Sequence, residues 1–235
     1  MSHKISEISI KNNKIFVYKL NLKTIYICYS NINKIPNYIY TNWKNLNPEY
    51  NIQFYGNKEC YDFLNKYFCK DYADFFNSIL DGPIKADFWR ICILYIFGGV
   101  YVDIDVVPVC PLKDFITDDI SFLTSTSIHS YNLNPIIIYS KPKNVLLYNT
   151  IVALYENRKK KYSYWGYSIC KPMMTELNKL YKKEHNEDIF TLKEGKFLLF
   201  GEKYKLLREL NYNTTTYNGK ILFHNHASSY KNNKF

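Results

Sequence analysis

The chain has 235 residues, 31 Lys and Arg against 21 Asp and Glu, and a formal net charge of +10. Hydrophobic residues make up 47% of it, enough for a sizeable core, so a disordered chain is excluded and one domain spanning residues 1–235 is expected. No run of about eighteen apolar residues exists, which excludes a spanning helix, and Met1–Asn13 is polar with no signal core, so a cytoplasmic protein is expected. The lysines are scattered, apart from Arg158–Lys161, which argues against a nucleic-acid groove. The surplus of Ile, Asn, Lys and Tyr points to an AT-rich genome, bacterial or viral. Six cysteines without a C-x-x-C spacing read as reduced thiols.

In chain order, Ile15–Leu22 and Thr24–Tyr29 read as short strands. A helix bounded by Pro36 and Pro48 follows, with Trp43 expected in the core. Asn51–Tyr55 is a strand stopped by Gly56, and Lys58–Tyr67 and Tyr72–Leu80 are helices. Asp81-Gly82-Pro83 is a turn leading into Ile84–Phe97, whose apolar residues recur at a helical period. Gly98-Gly99 ends that helix. Val100–Val107 then alternates Val100, Val102, Ile104 and Val106 with Tyr101, Asp103 and Asp105, which predicts one strand carrying both aspartates on a single face. Ile120–Thr124 and Pro135–Tyr139 are strands, joined through a polar, mobile Thr124–Ser127 run. Asn144–Asn157 and Ile169–Tyr181 are helices, and Phe197–Phe200 and Lys220–Phe223 are strands. Alternating strands and helices make a mixed α/β sheet.

Two carboxylates one residue apart repel each other, and burying them is costly without a cation nearby. A hard divalent ion with oxygen ligands fits such a pair, and a diphosphate would complete its shell. Asp87 and Arg90, at i and i+3, share a helix face upstream. The plain alternative is a solvated acidic strand end and a surface ion pair. Near the C-terminus His224 and His226 alternate, followed by Ser229 and Tyr230. His3, His129 and His185 have no partner in sequence.

Lys85-Ala86-Asp87, Arg90 and Gly98–Asp105 resemble the DXD sugar-binding region of glycosyltransferase family 32, the yeast-type initiating mannosyltransferases and bacterial capsular sugar transferases. The spacing of Asp, Arg and DXD also resembles that of the large clostridial glucosylating toxins. Trp43–Tyr50 (WKNLNPEY) is similar to a second segment of the family, and His224–Tyr230 to its C-terminal "HH…GSW" segment, with Tyr230 where the family has Trp and Asn225 interrupting the His pair. The resemblance implies a GT-A-like mixed sheet flanked by helices with a Rossmann-like nucleotide-binding half. It implies a metal-dependent glycosyltransferase moving a sugar from a UDP- or GDP-sugar to a glycan, lipid or protein hydroxyl, with retention. Mn²⁺ or Mg²⁺ would be held by Asp103 and Asp105, with His224 and His226 as further candidates. Asp87, Arg90 and Asp103 would act on the donor, and Tyr29, Ser30, Ser229 and Tyr230 would contact it. The competing readings are a metal-dependent hydrolase or nucleotidyltransferase, drawing on Asp114, Asp118 or Asp119 for further ligands, and a non-catalytic sugar-binding relative.

Overall fold

In the computed structural model, residues 22–129, 132–159, 168–189, 194–211 and 214–225 are described. The Ile15–Leu22 strand therefore lies almost wholly outside the described residues, as do His226, Ser229 and Tyr230. Ten strands form one sheet, β1 (Thr24–Cys28), β2 (Asn51–Tyr55), β3 (Gly99–Val102), β4 (Val106–Pro108), β5 (Ile120–Thr126), β6 (Leu133–Ser140), β7 (Gly195–Leu199), β8 (Glu202–Asn211), β9 (Thr214–Tyr217) and β10 (Lys220–Asn225). Their order is β2-β1-β3-β6-β5-β8-β9-β10-β4, with β7 on β8. β1 runs parallel to β2 and β3, and β5 to β8, while the remaining pairs are antiparallel. The mixed α/β architecture is the one expected.

Among the described residues six α-helices flank the sheet: α1 (Asn37–Leu46), α2 (Asn57–Tyr67), α3 (Lys70–Ser78), α4 (Gly82–Phe97), α5 (Val145–Asn157) and α6 (Cys170–His185). Strand residues alternate between two cores, as a pleated sheet covered on both sides requires. Tyr26, Tyr101, Phe122 and Leu206 join the core under α2–α6, while Ile25, Ile27, Val100, Val102 and Leu207 join Trp43 on the α1 side. Trp43 is fully buried, its ring 6.0 Å from that of Phe223.

Three sequence expectations are corrected. The strand predicted over Val100–Val107 is two strands: β3 ends at Val102, Asp103–Asp105 turns, and β4 begins at Val106. The Val106 amide bonds the Asp103 carbonyl at 3.1 Å, closing a turn that an aspartate in first position favours. The two aspartates thus do not share a strand face. Thr124–Ser127 is not a mobile loop up to Thr126, because β5 continues and buries these residues. Their hydroxyls make that burial tolerable: Thr124 donates to the Ile137 carbonyl (3.0 Å), Ser125 to Asn134 (2.5 Å) and Thr126 to Leu207 (3.2 Å). Finally, β8 and β9 had no predicted counterpart.

α4 starts on Asp81, whose side chain accepts from the Ile84 amide, and stops at Gly98 with φ 68°. A Cβ on Gly98 would lie 2.9 Å from the Ser140 carbonyl and 2.8 Å from Pro142. Gly98→Ala is therefore expected to cost at least about 1–2 kcal/mol from the left-handed conformation alone, with the clash in addition. Gly82→Ala, with nothing within 4 Å of the added atom, is expected to be near neutral. Urea denaturation of the two variants checks the difference, and equal midpoints would contradict it.

Candidate functional site

The fold brings the C-terminal ends of β1, β3, β5 and β8 to one edge of the sheet, where ligands collect in open α/β folds. Asp103 leaves β3 at this edge. Its amide donates to the Ile136 carbonyl at 2.9 Å, so β6 fixes the first residue of the turn. Tyr101, two residues earlier on the same face, donates its hydroxyl to Asp103 Oδ1 at 2.9 Å. Arg90, on α4, reaches the same oxygen through Nη2 at 2.9 Å and Asp87 Oδ1 at 3.0 Å. The alternation of Tyr101 with Asp103 was visible in the sequence, and so was the Asp87/Arg90 face. Their convergence on one point was not.

Arg90 is only 4% exposed, and its guanidinium is closely satisfied. Nε donates to the Ala86 carbonyl at 3.3 Å and Nη1 to the Pro135 carbonyl at 2.6 Å, with Asp103 Oδ2 farther off at 3.5 Å. The plane lies 4.4 Å from the Tyr101 ring centre. Arg90 therefore holds carboxylates in place and has little donor capacity left for a ligand. Pro135 was not foreseen as a participant, since a backbone carbonyl leaves no side-chain signal.

Asp87 is equally enclosed. Its Oδ2 accepts from the Ile169 amide at 3.0 Å, with the Ser168 side chain beside it. Burial pushes its carboxyl above the usual range, against the opposing pull of Arg90 and the Ile169 amide. Asp103 is pushed up to about 6, first by burial, with Arg90 pulling down and Asp105 and Asp87 pushing up. Asp105, half-buried on the turn, faces this cluster electrostatically. Two carboxylates, Asp87 and Asp103, thus bond one guanidinium, and Asp105 adds further negative charge beside Asp103. Asp103 and Asp105 are hard oxygen donors of the kind that a divalent cation such as Mg²⁺ or Mn²⁺ takes. Among the described residues no group of three or more His, Cys, Asp or Glu could hold an ion by itself.

The remaining predicted residues fall as follows. Tyr29 and Ser30 lie exposed beyond β1, with the Tyr29 amide bonded to the Tyr55 carbonyl. His224 is on β10, exposed, opposite Val107. His226, Ser229 and Tyr230 are outside the described residues. In the WKNLNPEY segment the side chains act on the backbone. Buried Asn47 accepts from the Leu112 amide at 2.7 Å, and Lys44 donates to the carbonyls of Pro48 and Tyr50. Asn47 thereby fastens the chain that follows β4.

Residues 23–126 match the family model described as "Glycosyltransferase sugar-binding region containing DXD motif". The chain is 32% identical over 78 residues to the initiation-specific alpha-1,6-mannosyltransferase of Candida albicans, a stretch covering 32% of this chain and 20% of that protein. The chain thus spans about a fifth of that relative's length. Its fold is similar to the solved structure titled "PaToxG Glycosyltransferase", with a TM-score of 0.52 and 16% identity over 68% of this chain and 69% of that one.

Two stability predictions follow from the charge cluster. Arg90→Ala leaves two enclosed carboxylates without their cation and is expected to cost about 3–5 kcal/mol. Lys58→Ala, which breaks an exposed pair with Asp62, should leave the unfolding midpoint unmoved. Because the folded-state pKa of Asp103 is raised from 3.8 to about 6, the folded state holds the proton longer than the unfolded chain. Wild-type stability from this group falls as pH rises from about 4 to about 6 and is flat above. Asp103→Asn lacks this dependence and should gain on wild type across that window by on the order of 2–3 kcal/mol, at about 1.4 per pH unit. Urea titrations at several pH values check it, and a variant that loses ground as pH rises would reverse the sign.

Proposed function

We propose that this chain, whose residues 23–126 are those of the DXD glycosyltransferase sugar-binding family, is a metal-dependent glycosyltransferase that moves a sugar from a nucleoside-diphosphate sugar to an acceptor hydroxyl. The observation that carries the reading is the convergence of Asp87, Arg90, Tyr101 and Asp103 on the ligand-collecting edge of the sheet, with Asp105 on the adjoining turn. A purely structural ion pair needs one carboxylate per guanidinium. Asp105 lies close enough to Asp103 to raise its carboxyl, and a pair of neighbouring carboxylates suits a divalent cation. A divalent ion bound by Asp103 and Asp105 would stabilise the charge that develops on the diphosphate leaving group.

The chain's own residues have separable tasks. Arg90 and Tyr101 hold Asp103 in one orientation, so that little reorganisation is needed when a charged ligand arrives. Asp87 orients Arg90 in turn. With its oxygens facing Arg90, the Ile169 amide and the Ser168 side chain, Asp87 is poorly placed to become a covalent nucleophile. This favours front-face attack with retention, giving α-linkages. The exposed Tyr29 and Ser30, beyond the end of β1, are suited to contacts with the nucleotide. UDP- and GDP-sugars are both compatible with these residues, and a glycan, lipid or protein hydroxyl would serve as acceptor.

A hydrolase or nucleotidyltransferase with two metal ions would need further carboxylates beside Asp103 and Asp105. Asp114 and Asp119 are instead paired with Lys220 (3.2 Å) and Lys203 (2.5 Å), which favours the transferase.

The test is a thermal-shift panel of UDP- and GDP-sugars with and without Mn²⁺, followed by product analysis. One donor is expected to raise the melting temperature in a Mn²⁺-dependent way and to yield nucleoside diphosphate with transferred or free sugar. Asp105→Asn should abolish that turnover while the protein stays folded, since it removes a repelling charge from a turn. Full turnover after EDTA treatment would rule out the metal-dependent reading.

A further inference from the structure

Beside Tyr101 lie two thiols that the proposed reaction does not use. Cys28 is the last residue of β1, half-buried at the sheet edge where Asp103 leaves β3. Its Sγ is 3.6 Å from the Tyr101 hydroxyl oxygen, and it shares a hydrogen bond with the thiol of Cys60. Cys60 is 2% exposed, near the start of α2. The fold brings the two together by a short route. Cys28 is paired with Tyr55 across the parallel β1–β2 ladder, and from Tyr55 the chain passes through Gly56 directly into α2.

The protons give this row a direction. Tyr101 has a single hydroxyl proton, which it donates to Asp103 Oδ1 at 2.9 Å. Its oxygen is left to accept, so the Cys28 S–H is the donor in the 3.6 Å contact. The Cys28 sulfur accepts in turn from Cys60. The row therefore leads from a buried thiol, through Cys28 and Tyr101, to the carboxylate that Arg90 also holds. The two sulfurs differ in character. The hydrogen bond from Cys60 draws the Cys28 thiol below its usual range, while burial pushes Cys60 well above it. A more readily ionised, partly exposed thiol next to a protonated one is the arrangement of an attacking and a resolving cysteine.

We infer that Cys28 and Cys60 form an oxidation site, a dithiol that a peroxide converts to a disulfide, and that this bond weakens the proposed donor site by withdrawing Cys28 from Tyr101. The effect on donor binding rests on the glycosyltransferase reading above, and the chemistry rests on the thiol pair alone. The Cys28 thiolate attacks one peroxide oxygen, the O–O bond breaks, and the departing hydroxide takes up a proton as water. The Cys60 sulfur then attacks the sulfenic acid left on Cys28, the S–O bond breaks, and a second water leaves with the Cys60 proton. Two thiols lose two electrons in all, and the peroxide is reduced to two waters.

The bond reaches the site by two routes. Closing the sulfurs to about 2.05 Å uses up both S–H groups, so Tyr101 loses the donor behind it and its hold on Asp103 loosens. It also pulls the end of β1 toward α2, and Tyr29 and Ser30, the proposed nucleotide contacts, follow Cys28 directly.

The experiment treats the full chain with hydrogen peroxide and then with dithiothreitol. At each stage linked peptides are mapped by non-reducing mass spectrometry, and Mn²⁺ binding with UDP or GDP is followed by electron paramagnetic resonance. Thermal melts accompany both. Wild type is expected to give a Cys28–Cys60 peptide, to bind Mn²⁺–nucleotide about tenfold more weakly once oxidised, to melt no lower, and to recover with dithiothreitol. Cys69→Ala, which removes an exposed thiol, should behave in the same way. Cys60→Ala should form no disulfide at Cys28 and leave there a sulfenic acid that dimedone traps. Absence of the Cys28–Cys60 peptide, or linkage of Cys28 to another cysteine, overturns the oxidation site. A linked protein that binds as tightly as the reduced one, or that loses binding only by melting well below it, overturns the effect on the donor site. If the pair links but reduced wild type binds no Mn²⁺ with either nucleotide, the glycosyltransferase reading falls while the thiol chemistry stands.

Discussion

The burial of Arg90 is the constraint on which the rest of the site depends. A guanidinium this far from water is tolerable only if its donors are met and its charge is balanced. Those conditions recruit three separate elements. α4 supplies Asp87 and the Ala86 carbonyl, β3 supplies the ring of Tyr101 that closes one side and leads into Asp103, and β6 supplies the Pro135 carbonyl. A lysine in this position could not do the same, because it lacks the planar fork that reaches three directions at once. Moving any one of these elements would leave a buried charge unmatched. The site is rigid because it is expensive to disturb.

That rigidity extends into the second half of the chain. Asp87 accepts from the Ile169 amide, just ahead of α6. The DXD match ends at residue 126, yet Ile169 and β6 lie beyond it and both bond the central charges. Residues within the matched region are thus positioned by residues outside it. Hydrogen bonds from backbone amides and to backbone carbonyls impose geometry without dictating which side chain is present.

The same distinction separates what was legible in the sequence from what was not. Elements set by local signals read well: β2 spans the predicted residues, α4 ends at Gly98, and α5 begins after an asparagine cap that accepts from Leu146 and Leu147. Elements set by tertiary context did not. β8 carries Lys203, Lys205, Arg208 and Glu209, a composition that hides a strand. It is a strand because neighbours satisfy those charges, as when buried Lys205 donates to the Phe115 carbonyl and lies 3.8 Å from the Tyr217 ring centre. The DXD stretch shows both effects. Val100–Val102 is a strand as expected, but alternation alone cannot reveal that the strand stops there, with β6 holding Asp103 by its amide.

The break in that strand has a further consequence. Had β3 run straight on through Asp105, the sheet would have continued outward and its far edge would have stayed distant. The turn at Asp103–Asp105 instead hands the chain to β4, which pairs with β10 at the other end of the strand order. The acidic turn is therefore the joint at which the curled sheet meets itself. Its two carboxylates lie close enough to repel, Asp105 raising the carboxyl of Asp103. Their charge is set within a chain of net charge +10, so the two scales of electrostatics act in opposite senses. On the proposed reading, the overall field draws an anionic ligand inward and the local carboxylates favour one that arrives with a cation.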